Sequence, residues 1–159
     1  MKNYLTEKEI KNLNKWAKKH DIKDLKIKDK EQILSISIRN DKIEHIPADI
    51  FKLTNLKKLD ILCKNLMELS EDIKNLSNLK EFHIYCHNLK KLPKGIWDLI
   101  NLEELYIYCN NLESLPNEIK KLINLESINI ERTVNLKLKD LPMEGIGELN
   151  NIKELCIDI

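Results

Sequence analysis

A period of 23 residues runs through most of this sequence and limits what the chain can fold into. Aligning Asn78–Ile100, NLKEFHIYCHNLKKLPKGIWDLI, with Asn101–Ile123, NLEELYIYCNNLESLPNEIKKLI, places apolar residues in the same seven columns. The same columns recur in residues 55–77 and 32–54. A fixed period of this length indicates a solenoid, in which each unit buries its apolar face only against its neighbours. The pattern favours a binding function over catalysis.

These columns resemble the leucine-rich repeat family, in particular its short repeats with an LPxxIxxL second half. The resemblance covers about residues 22–159. It implies an α/β solenoid, a right-handed horseshoe with a parallel concave sheet and short helical or 3₁₀ segments on the convex side. We predict an N-terminal helical cap over 1–21 and a leucine-rich repeat domain over 22–159. The domain divides into a shortened first unit 22–31, repeats 32–54, 55–77, 78–100, 101–123 and 124–150, and a partial unit 151–159.

Residues 5–20 carry the signals of a single helix that caps the solenoid. Thr6 and Glu9 have the spacing of a capping box. One apolar stripe at helical spacing follows, formed by Ile10, Leu13, Trp16 and Ala17. We expect this stripe to cover the open end of the core; a basic amphipathic helix on a membrane surface is the alternative. On the convex side, Phe51 and Trp97 share a column in which we expect partial burial.

Composition indicates a cytoplasmic protein. The N-terminal sequence MKNYLTEKEIKNL has no apolar stretch typical of a secretory signal, although export by a signal-independent route would leave no such mark. A net charge of +1 gives no overall field for nucleic acid, and no apolar run is long enough for a membrane span. Two Arg against 25 Lys, with abundant Asn and Ile, is a composition that suggests an AT-rich, bacterial genome.

A column of cysteines directly follows the predicted strands. Asn40, Cys63, Cys86 and Cys109 occupy it, and we expect the three thiols to be reduced, to face inward and to form a ladder. The family resemblance would put such a ladder one residue later, at Asp41, Lys64, His87, Asn110 and Thr133, where a buried lysine would be unfavourable. A metal site built from the thiols with His83 and His87 is the alternative. We predict no metal and no cofactor.

The outward positions of the strands form the candidate binding surface. Three of the four tyrosines of the chain fall there in adjacent units, next to a leucine, a histidine and a glutamate. Tyrosine is common at interface hot spots, although it is also a good residue for an exposed strand. The predicted partner-binding residues are Leu62, His83, Tyr85, Glu104, Tyr106 and Tyr108. No catalytic residues are predicted, because the outer carboxylates lack partners for acid–base chemistry and the three glycines form no phosphate-binding loop.

These observations predict a non-enzymatic protein-interaction module that binds a protein partner, with a basic partner favoured, and neither nucleic acid nor membrane. Two alternatives are open: a recognition fragment of a larger bacterial effector or ubiquitin ligase, and a self-assembling structural solenoid. The chain ends on Cys156-Ile157-Asp158-Ile159 without a capping helix. We therefore expect an unpaired strand edge there, which would permit a weak homodimer.

Overall fold

The computed structural model describes residues 5–27, 33–131, 133–137, 139 and 141–158. Six parallel strands form one open sheet in the order of the sequence. They are β1 (Ser35–Arg39), β2 (Lys58–Leu62), β3 (Glu81–Cys86), β4 (Glu104–Cys109), β5 (Ser127–Glu131) and β6 (Glu154–Asp158). The predicted solenoid of leucine-rich repeat type is confirmed.

Short helices connect the strands on the other side of the core. In the part of the chain that the structure describes, 3₁₀ helices lie at Ala48–Lys52, Glu71–Asn75, Lys94–Asp98 and Asn117–Lys121, and a short α-helix, α2 (Met143–Gly147), precedes the last strand. A longer helix, α1 (Glu7–Lys19), precedes the sheet. Parts of the predicted cap, first unit, fifth repeat and final unit lie outside the described residues, namely 1–4, 28–32, 132, 138, 140 and 159.

The strand register follows the sequence period. Residues that face each other in β1 to β5 are 23 apart, as in the pair His83 and Tyr106. Between β5 and β6 the separation is 27, because Ser127 faces Glu154. The four additional residues of the fifth unit are therefore accommodated between these two strands, where α2 replaces a 3₁₀ helix.

Alternation along each strand separates a buried face from an outer face. In β3 and β4, every second residue is fully enclosed, from Phe82 and Leu105 to Cys86 and Cys109. Successive side chains of a strand point to opposite sides of the sheet, so the intervening residues form the outer, concave face. The exception is β6, where Leu155 of the core column is 47% exposed.

The convex side is packed more closely than the sequence indicates. Phe51 and Trp97 are 0% and 1% exposed, so the expectation of partial burial is wrong. The reason is the close approach of neighbouring 3₁₀ helices. A Cβ on Gly95 would overlap the carbonyl oxygen of Glu71, and the Gly95 amide donates a hydrogen bond to Glu71 Oε2 at 2.8 Å.

Helix α1 packs against the first units, as its apolar stripe predicts. The capping box is present: Thr6 N donates to Glu9 Oε2 at 2.7 Å, and Glu9 N donates to Thr6 Oγ1 at 3.3 Å. Asn14 forms two hydrogen bonds with the backbone of Ile27, which satisfy peptide groups at the edge of the core. Glu9 also pairs with Lys52 of the first 3₁₀ helix at 2.6 Å. Among the described residues, no helix has the length and apolar character needed to cross a bilayer.

A ladder of asparagines joins the units, and it was not predicted from the sequence. Asn78, Asn101 and Asn124 each donate a side-chain hydrogen bond of 2.8 Å to a backbone carbonyl 24 residues earlier, and Asn151 donates one of 2.7 Å to a carbonyl 28 residues earlier. The signal was present in the sequence, because each of these asparagines is the first residue of its unit. The ladder holds successive turns together at the exposed edge of the solenoid.

Candidate binding surface on the concave face

The six predicted binding residues lie together on the outer face of β2, β3 and β4. We call Leu62, His83, Tyr85, Glu104, Tyr106 and Tyr108 the concave patch. The register places His83 beside Tyr106 and Tyr85 beside Tyr108, with Leu62 completing the second row. All six are partly exposed. The alternation of the strands thus brings them to one surface, while their role in binding stays a prediction.

The rings of the concave patch stack in two pairs. The centroids of His83 and Tyr106 are 4.4 Å apart with an interplanar angle of 11°, and those of Tyr85 and Tyr108 are 4.2 Å apart at 24°. Parallel strands about 4.8 Å apart hold facing side chains at a distance suited to ring stacking. Rings held in this way lose little rotamer freedom when a partner covers them. The stacking therefore pre-organises the surface.

A shallow groove of about 280 Å³ runs over the concave patch. Every residue of the patch except Glu104 lines it, and so do Arg39, Asp60, Asn129 and Glu131. Three buried side-chain atoms of groove residues form no hydrogen bond, namely Asp60 Oδ1, His83 Nε2 and Asn129 Oδ1, although Asp60 Oδ1 lies 3.0 Å from His83 Nδ1. Buried polar atoms are normally paired, so these three mark a place where the surface has unused bonding capacity.

Acidic side chains dominate the first rows of this face. Lys58 pairs with Glu81, and this hydrogen bond, together with the charges of Asp60, Glu81 and Glu104, raises the pKa of Lys58 above its usual value. His83 lies between two carboxylates, with Nδ1 at 3.0 Å from Asp60 Oδ1 and Nε2 at 3.7 Å from Glu104 Oε2. Asp60 Oδ1 can accept a hydrogen bond from His83 only when Nδ1 carries a proton, and in the neutral imidazole Nε2 then presents a lone pair.

The cysteine column faces the core, as predicted. Cys63, Cys86 and Cys109 are fully buried free thiols, and Cys63 Sγ contacts the carbonyl of Ile38 at 3.5 Å. Burial raises the pKa of Cys63 to about 11. His83 lies on the opposite face of the sheet, so the alternative metal site, which combined it with the thiols, is wrong. The partly buried Cys156 stands apart in β6.

A family comparison identifies the chain as a whole. The model of the family described as leucine-rich repeat region matches residues 10–159. The chain belongs to the leucine-rich repeat family. None of the curated proteins compared with the chain matches it. Leucine-rich repeat proteins generally bind protein partners, so family membership supports a protein-interaction module in general terms.

Solved structures of leucine-rich repeat proteins share the fold at low sequence identity. An internalin of Listeria monocytogenes is 19% identical with a TM-score of 0.56, and the match covers 85% of this chain and 43% of the internalin. A chain of the Toll–Spatzle complex of Drosophila is 17% identical with a TM-score of 0.53, with coverages of 86% and 22%.

A leucine-rich repeat protein of Leptospira interrogans is 21% identical with a TM-score of 0.46, with coverages of 79% and 43%. The chain therefore spans less than half the length of each of these three proteins.

Proposed function

We propose that this leucine-rich repeat chain is a protein-interaction module that binds a protein partner through the concave patch, without catalysis. The proposal rests on one observation: two pairs of stacked rings lie in a groove that also contains unpaired polar atoms. His83 stacks on Tyr106, and Tyr85 stacks on Tyr108. Tyrosine buries a large area at low entropic cost, and extended solenoid faces are common binding surfaces.

The charge of the surface favours a basic partner. Asp60, Glu81, Glu104 and Glu131 on the outer strand positions outnumber Lys58 and Arg39 there. Complementary charge speeds encounter more than it tightens the complex, and salt screens it. We therefore expect the association rate to fall as the ionic strength is raised.

The experiment compares affinity for a captured partner before and after removal of a ring. Wild-type chain captures the partner from a lysate of the source organism, and affinity is then measured for Tyr106→Ala. As an interface anchor, Tyr106 should contribute about 2 kcal/mol or more, so the variant should bind roughly thirtyfold more weakly.

The control is Lys120→Ala, which removes a convex side chain that pairs with Glu148 at 3.2 Å. It should bind like the wild type. Equal affinities for wild type and Tyr106→Ala, or a loss seen only with Lys120→Ala, would move the binding site away from the concave face. Three hypotheses stay predictions: that the chain is a recognition fragment of a larger bacterial effector or ubiquitin ligase, that it is a self-assembling structural solenoid, and that it forms a weak homodimer through the C-terminal edge.

A further inference from the structure

One cluster on the concave face combines the ligand types of a transition-metal site. Glu81 and Glu104 face each other in β3 and β4, and His83 follows Glu81 by two residues on the same side of the sheet. One ligand atom from each residue can be chosen so that all three lie within 4.8 Å of one another. Like charges directly opposite in a sheet are unfavourable, and a bound cation would relieve this repulsion.

The orientation of His83 is the second, independent observation. Asp60 lies 3.0 Å from its Nδ1, while its Nε2 is buried, has no hydrogen-bond partner and lies 3.7 Å from Glu104 Oε2. Histidine ligands of metals usually donate the other ring N–H to a carboxylate, which fixes the tautomer and the ring orientation. Asp60 Oδ1 lies at the distance from His83 Nδ1 that this arrangement needs, and a small rotation of the ring would align the N–H while Nε2 acts as the ligand atom.

The ligand set selects among metals. Calcium takes six to eight oxygen ligands and magnesium prefers oxygens in an octahedron, so neither matches a site of one imidazole and two carboxylates. Zinc accepts both ligand types and is often held by three protein side chains and a water. Ligand atoms around tetrahedral zinc are about 3.3 Å apart. The histidine–glutamate distance is close to this value, and the partly exposed glutamates can rotate to reach it.

We propose that Glu81, His83 and Glu104 bind a zinc ion, with Asp60 orienting the histidine. Of the three ligands only His83 lines the groove of the proposed function, and zinc binding by the chain alone does not depend on any partner. The two proposals can therefore fail separately.

Lys58 provides a distinctive test, because its ammonium group occupies the position of a cation next to Glu81. Zinc must displace this group. Lys58→Met removes the competitor and one repelling positive charge, and should tighten zinc binding about fivefold or more. A site far from Lys58, such as one on the buried cysteines, would show no such gain.

The experiment titrates the reduced, chelator-treated full chain with zinc chloride by calorimetry. We expect about one zinc per chain. Binding should weaken about 10- to 100-fold in Asp60→Asn, since loss of an orienting partner has this effect. Zinc binding should be lost in His83→Ala. It should also be lost in Glu104→Gln, a variant that removes a ligand while the histidine is unchanged. Calcium and magnesium should give no comparable heat.

The matched control is Glu103→Gln. Glu103 pairs with Lys80 across the same two strands, at 2.5 Å, but is not part of the cluster. This variant should bind zinc like the wild type. The proposal is overturned if the wild type takes up no zinc, if His83→Ala and Glu104→Gln bind as tightly as the wild type, or if cobalt-substituted protein shows a thiolate charge-transfer band, which would place the metal on the cysteines.

Discussion

Replacing Trp97 with alanine removes the largest fully buried side chain, which lies on the convex side of the core and is 1% exposed. A buried aromatic side chain removes about 150–250 Å² from water. At about 25 cal/mol per Å², this corresponds to about 4–6 kcal/mol, and measured truncations of this kind cost about 3–5 kcal/mol. We expect the free energy of unfolding to fall by about 4 kcal/mol, and the melting temperature by about 8–16 °C.

The assay is urea unfolding followed by circular dichroism, with Trp97→Phe as a milder variant that keeps most of the apolar volume. The control is Ile100→Ala, because Ile100 is near in sequence but 52% exposed. It should lose less than about 1 kcal/mol. A loss below about 1 kcal/mol in Trp97→Ala, or equal losses in Trp97→Ala and Ile100→Ala, would refute the close packing of the 3₁₀ helices described above.

A thiol reagent should modify Cys63 and Cys109 of native protein very slowly, because both are buried and have raised pKa values: burial raises the pKa of Cys63, and the hydrogen bond with Cys86 together with burial raises that of Cys109. Rapid labelling before unfolding would contradict the inward cysteine column. The second prediction concerns Glu9, whose pKa is lowered to about 2 by its hydrogen bonds with Lys52 and Thr6. Because the folded pKa lies below the usual 4.5, this pair stabilises the fold above about pH 4.5 and less as the pH falls towards 2. Wild type should therefore be more stable than Glu9→Gln at pH 7, and urea unfolding should show this difference shrinking below pH 4; a constant difference would count against the pair.

The arrangement of the sheet could be predicted from the sequence because the inward and outward positions assigned in one repeat apply to all the other repeats. Once Ile84 and Ile107 are assigned to the same column, the period of 23 places them on adjacent strands, and alternation decides which side chains face inward. The inward cysteines follow from the same argument, since a column in phase with the core shares its burial. Leu155 departs from its column because β6 has a neighbouring strand on only one side among the described residues.

The depth of burial on the convex side could not be predicted in this way. The period shows that Phe51 and Trp97 share a column, but not how closely successive 3₁₀ helices approach. That distance depends on contacts between backbones, such as the approach of Gly95 to Glu71. The sequence contains the glycine, but only the three-dimensional packing shows what it allows.

The candidate site also has some features that the sequence predicts and others that only the three-dimensional packing shows. Alternation was sufficient to bring the six residues of the concave patch to one face. It does not fix side-chain torsions, so it could not predict that the rings stack in pairs or that Asp60 lies against Nδ1 of His83. From the sequence, a metal site is predicted only as the alternative that joins the thiols with His83 and His87, because the cysteines stand out as a column. The cluster of Glu81, His83 and Glu104 arises from two adjacent strands and has no such periodic signal.

The constant register of β1 to β5 has a consequence for how such a chain can change in length. Because facing residues are 23 apart, an in-frame duplication of 23 codons would add one strand and its return segment without altering any buried column. Each copy would lengthen the sheet by about 4.8 Å. Facing residues of β5 and β6 are 27 positions apart, so the last unit is not interchangeable with the others. Unequal recombination involving these two strands would therefore place core residues out of register. Growth by gene duplication is thus open to the first five strands, where each new strand adds outer side chains that can diverge independently.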